Sequence, residues 1–146
     1  MRYLFPLLLS LAVVSCSTSQ PRLNDIRSVP PSRLMLYQNT PTTPYATLVV
    51  VRDKGWLAGT CRIGVMIDNE FAGSIASAEK AEFRIPVGQH TVSLGQDGYY
   101  NNACVWRDTS GSQTPFLKAG ETRFLRISGN TGEGFTLKPT AEFAAQ

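Results

Sequence analysis

Few residues in this 146-residue chain are of types that do chemistry. There are three cysteines, Cys16, Cys61 and Cys104, and one histidine, His90. One imidazole excludes zinc sets built on several, and the cysteines lack the Cys-x-x-Cys spacing of a ligand or redox pair. No metal and no other cofactor is expected. A nucleophilic triad would set His90 beside a nucleophile and an orienting acid, and the sequence singles out neither. His90 follows Pro86-Val87-Gly88 in a strand-like stretch, where packing and hydrogen bonding account for it. Asp53, Asp68, Asp97 and Asp108 each lie at or near a turn, where aspartate bonds local backbone, and nothing in the sequence singles out two of them as the acid and base of a hydrolase. The glycine-rich stretch 128–134 lacks the Lys-Ser/Thr of a phosphate loop and reads as a hairpin turn. Side chains suited to binding remain: Trp56 between Gly55 and Leu57, and Tyr99, Tyr100, Asn101 and Asn102 in a loop. Aromatic rings with amides suit a glycan or a protein surface, whereas a Tyr99 tucked into the core would be structural.

The odd cysteine is explained by what precedes it. Arg2 supplies a positive start, and residues 3–14 are apolar except for Tyr3 and Ser10. A bilayer-spanning helix needs about 20 apolar residues, so this stretch, which also holds Pro6, reads as a secretory signal segment. It runs into Val13-Val14-Ser15-Cys16, which resembles the bacterial lipobox: aliphatic, tolerated, small, then the cysteine that is acylated and becomes the first residue. Two or more acyl chains, palmitate among them, anchor stably where one is marginal. Serine at position 17, on the same resemblance, permits transfer to the outer membrane. The expected location is the outer membrane, lipid-anchored, with the domain in the periplasm.

The positioning elements follow from pattern. Residues 1–15 form the signal peptide. Residues 16–44 hold five of the nine prolines among Ser, Thr, Gln and Asn and read as a lipidated N-terminus with a flexible tether; within them 33–37 is a short helical turn or edge segment that docks on the domain. From Tyr45 short strands alternate with turns: 45–52, 62–68, the turn Asp68-Asn69, then 70–75, 82–86, 90–94, a strand starting at 104, 122–128, the turn 130–132, and 135–138. Helical periodicity is absent over any window of eleven residues, so the fold class is all-β, a small antiparallel β-sandwich over 45–140, followed by a tail, 141–146. In an oxidising compartment, with Cys16 acylated, Cys61 and Cys104 make an even pair. A disulfide closing that loop would stabilise by about 4 kcal/mol; two free thiols or a redox pair are the alternatives.

A resemblance is carried by Val65-Met66-Ile67-Asp68, Ala72-Gly73, the run from Phe83 through Pro86-Val87-Gly88-Gln89-His90-Thr91-Val92, and Gly98-Tyr99. It is similar to the PEGA-like pattern of an "I-D-G" strand, a "P-x-G-x-H-x-V" hairpin and a "G-Y". The chain also resembles small uncharacterised bacterial envelope lipoproteins through Arg52-Asp53-Lys54-Gly55 leading to Cys61, and through 117–127. Asn69 stands where glycine is usual, and one extra residue precedes Arg126. The resemblance spans about residues 30–138 and implies a β-sandwich and an envelope location, and no specific activity.

Charge adds an exclusion. Fourteen Lys and Arg against eleven Asp and Glu give +3, scattered singly, without the clustered basic face that nucleic acid requires; losing Arg2 with the signal lowers it further. Three functions are open. The first is a non-enzymatic outer-membrane lipoprotein, held to the membrane by its N-terminal lipid and presenting the domain to a protein or peptidoglycan partner. The second is an immunity or exclusion lipoprotein that neutralises a toxin, phage or conjugation component, and the third is a cell-wall hydrolase.

Overall fold

A computed structural model describes residues 17–55, 60–98, 109–141 and 143. The chain is all-β. After a 3-10 turn at Leu23–Asp25 come β1 (Arg27–Ser28), a second 3-10 turn at Pro31–Arg33, β2 (Tyr45–Arg52), β3 (Ile63–Ile67), β4 (Glu70–Ile75) and β5 (Glu79–Pro86). Then follow β6 (Gly88–Gln89), β7 (Val92–Gly95), β8 (Thr109–Ser110), β9 (Phe116–Leu117), β10 (Thr122–Asn130) and β11 (Gly134–Pro139). A six-stranded sheet has the order β1-β5-β2-β10-β11-β8; a three-stranded sheet runs β4-β3-β7, and β6 pairs with β9.

Period-two alternation builds one core between the two larger sheets. Ala46, Leu48 and Val50 of β2, Phe83 and Ile85 of β5, Leu125 and Ile127 of β10, and Phe135 and Leu137 of β11 point one way. They meet Ile63, Val65 and Ile67 of β3, Ala72 and Ile75 of β4 and Val92 of β7 in a single buried cluster, giving a sandwich-like arrangement. Each buried Val, Leu, Ile or Phe among them contributes about 1.5–3 kcal/mol by leaving water. The turn Asp68-Asn69 joins β3 to β4 with φ of 51° and 65°, the left-handed pair that a two-residue hairpin needs and that Asp and Asn tolerate. Gly64 in β3 lets β7 approach: a Cβ there would lie 2.0 Å from the Gln96 carbonyl oxygen.

The sandwich was expected to be antiparallel, and its hairpins β3–β4 and β10–β11 are. The six-stranded sheet is mixed: β10 runs parallel to β2, β1 to β5, and β8 to β11. Tight turns impose antiparallel pairing only on neighbours in sequence. Strands far apart, such as β2 and β10, have the long connection that parallel pairing requires.

The stretch read as a flexible tether also differs over its described part. Ser17 bridges to Asn130 and Ser19 to Lys54, β1 extends the large sheet, and Val29 is buried in the core. Segment 33–37 docks on β4, with the Met35 amide donating to the Ala72 carbonyl at 2.8 Å, and Leu34, Leu36 and Tyr37 packed on the core. Composition rich in Pro and Ser withholds regular structure without preventing single apolar residues from finding the core.

Candidate functional site

The strands give the domain two ends. At one, β2 and β10 finish while β3 and β5 begin; at the other, β2 and β10 begin while β3 and β5 finish. The nine residues of β10, at about 3.3 Å each, separate these ends by roughly 26 Å.

The first end is closed by Asp53. Its buried carboxylate accepts Arg126 Nε at 2.7 Å on Oδ1, and Arg126 Nη2 at 2.9 Å and Thr18 Oγ1 at 3.0 Å on Oδ2. The fork geometry is that of a strong charge-assisted pair. Thr18 Oγ1 also accepts the Gly129 amide at 2.8 Å, and the Thr18 amide donates to the Gly129 carbonyl at 2.9 Å. Ser19 and Lys54 exchange two backbone bonds of 2.8 and 2.9 Å. Beside them Arg52 is buried, donating through Nη1 to the Cys61 and Ile75 carbonyls at 2.6 and 3.0 Å, with its guanidinium 5.0 Å over the Phe135 ring. Burial lowers its pKa to about 10, against the pull of the Glu79 charge, so it stays cationic at neutral pH.

The loops expected to bind also leave from this end. Trp56, Tyr99, Tyr100, Asn101 and Asn102 lie outside the described residues, as do Cys16 and Cys104. Their flanks are adjacent: Arg62 Nε donates to Asp97 Oδ2 at 2.7 Å, tying the exit of the Trp56 loop to the entrance of the Tyr99 loop. Cys61 is disulfide-bonded; the chain offers it only Cys16 or Cys104 as a partner.

The second end is clasped by His90. Its Nδ1 lies 2.7 Å from Asp68 Oδ2 and its Nε2 2.9 Å from the Pro86 carbonyl oxygen, while its backbone amide donates to the Pro115 carbonyl at 3.2 Å. One residue thus joins the β3–β4 turn, the end of β5 and the approach to β9. The Pro86 carbonyl and the Asp68 carboxylate both accept, so Nε2–H and Nδ1–H are the donors in these two bonds. With Nε2 engaged by backbone and Nδ1 by a carboxylate, neither ring nitrogen is presented to a substrate, which opposes an acid–base role. Asp68 loses some solvation, which raises its pKa, but the bonds from His90 and from the Thr91 amide (2.8 Å) outweigh this and hold it below the usual value. Glu121 is likewise lowered, first by the Lys118 amide at 3.0 Å, which desolvation partly opposes, and then by Arg123.

Around this clasp lie two exposed apolar side chains, Phe116 at 59% and Val87 at 40%. Gln89 pairs with Phe116 across β6 and β9, and the turn that follows β9 carries the charged Lys118 and Glu121. An exposed aromatic rimmed by polar groups is a common form of protein contact surface. Sequence reasoning passed over Phe116; a lone Phe next to Pro115 gives no alternation to show which way it points.

On the outer face of the large sheet, a groove of about 360 Å³ is lined by Thr47, Val49, Lys80, Glu82 and Phe124. Ile26 and Phe143 pack there against Val49 and Val51, with the Phe124 and Phe143 rings 6.1 Å apart. Ile26 and Phe143 thus cover part of this face. Among the described residues, no three His, Cys, Asp or Glu side chains gather as metal ligands, and no helix is long and apolar enough to cross a membrane. No protein-family model, curated protein or solved structure matches the chain.

Proposed function

We propose that this chain is a non-enzymatic lipoprotein of the bacterial outer membrane, acylated at Cys16, whose β domain binds an envelope protein or cell-wall component from the periplasm. The observation that carries the reading is the disulfide at Cys61. Structural disulfides persist in oxidising compartments, the destination that the apolar start and Val13-Val14-Ser15-Cys16 specify. The closed hydrogen-bonding of His90 supports binding over hydrolysis. The Phe116 and Val87 tip is the described surface best suited to a partner, because it is exposed, apolar and carried on paired strands. Photo-crosslinking from position 87 in living cells tests this: the reading expects one dominant protein or peptidoglycan adduct, lost when Phe116→Ser is added to the same chain. Turnover of cell-wall fragments by the purified domain would replace it with the hydrolase reading.

A further inference from the structure

The segment after Cys16 bears on how such a lipoprotein would sit. A free tether of the length of 16–44 would let the domain wander roughly 30 Å from its anchor. The described chain has no such freedom at its start. Thr18 is fixed to Gly129 through both backbone and side chain, and its hydroxyl reaches the buried Asp53. Ser19 is fixed to Lys54 by two backbone bonds. Gly55 packs so closely on Thr18 that a Cβ would lie 2.8 Å from its methyl group. Consecutive Cα atoms are 3.8 Å apart, so the Cα of the acylated cysteine lies within about 7.6 Å of that of Thr18.

We propose that the end of the domain bearing Ser17, Lys54 and the turn 131–133 is a bilayer-contact surface, set directly against phospholipid headgroups by the acylated Cys16. The inference rests on the lipoprotein reading and adds an orientation to it. The surface fits headgroups in composition. Ser17, Ser19, Lys54, Thr131, Gly132 and Glu133 are exposed, polar and mixed in charge. The exposed large apolar side chains among the described residues, Met35, Val87 and Phe116, lie elsewhere. The described residues of this end would meet headgroups, while the acyl chains supply the insertion. The opposite end, with Phe116, is held roughly 26 Å further out, the length of β10.

The test uses the full acylated protein in phosphatidylethanolamine–phosphatidylglycerol vesicles carrying an acceptor dye on a headgroup lipid. A donor dye is placed on Thr131→Cys at the proposed seat or on Ala119→Cys at the opposite end. Energy transfer several-fold higher from position 131 than from 119 is expected. A Thr18→Val substitution, which removes the clamp hydroxyl and keeps the side-chain shape, should bring the two values together. Equal transfer from 131 and 119 in the parent protein, with acylation of Cys16 verified by mass, overturns the seat and leaves the lipoprotein reading standing. Absence of acyl mass on Cys16 overturns both.

Discussion

The two ends of the sandwich are closed by carboxylates in different ways. At the Ser17 end Asp53 is buried, receives both arms of the Arg126 fork and holds the incoming chain through Thr18. At the Phe116 end Asp68 is nearly half exposed, and its partner His90 spends its second nitrogen on backbone. A buried fork tolerates little change, because removing one member strands desolvated charge. An exposed pair is screened by solvent and contributes little. The difference matches what each end carries: one fixes the chain leaving Cys16, and the other supports an exposed tip.

The most damaging way to break that contrast is Asp53→Asn. It should cost about 2–4 kcal/mol in urea unfolding, because the Arg126 fork loses its buried counter-charge. Protease sensitivity near Thr18 should rise with it. His90→Ala at the other end should cost only about 0.5–1.5 kcal/mol, the usual worth of hydrogen bonds with partial exposure. Equal losses from the two substitutions would remove the contrast.

Acid titration sharpens it further. Asp68 and Glu121 have folded values lowered from their ordinary ones. Their contribution is therefore complete above the unfolded carboxylate values of about 4. It is lost as pH falls through the lower folded values. Amide protection factors, corrected for the intrinsic pH dependence of exchange, should fall in β6, β9 and the Asp68-Asn69 turn as the pH is brought down, and an Asp68→Asn, Glu121→Gln chain should lack that fall. The smallest effect on stability belongs to Phe116→Ser, within about 0.5 kcal/mol because the ring is exposed, although this change should abolish crosslinking to a partner.

The sequence exposes these ends unequally. The β-branched residues Thr47, Val49, Val50 and Val51 mark β2 over 45–52, and the return from the Asp68-Asn69 turn marks β4 over 70–75, both to the residue. Asp68-Asn69 specifies its turn through the rare left-handed tolerance of both residues. The docking of 17–19 is not legible, because backbone pairing of Ser and Thr leaves no pattern in composition. The parallel union of β2 with β10 is hidden for a related reason: register between distant strands is decided by the shared core and not by local turns. His90 reads from sequence as packing and hydrogen bonding beside its hairpin, and it is found there. Its reach to Pro86 and Pro115 depends on three segments meeting in space. Arg52 is legible only as part of a strand, although its burial over Phe135 ties the Cys61 segment to the core.

Cysteine bonding tests the central claim most directly, because Cys61 has only two candidate partners. A non-reducing peptide map of protein extracted from membranes reads Cys16 and Cys61 together. The account predicts a chain beginning at Cys16, that residue carrying diacylglycerol, and Cys61 linked to Cys104. A Cys16–Cys61 disulfide, or an unmodified Cys16 preceded by residues 1–15, would contradict it.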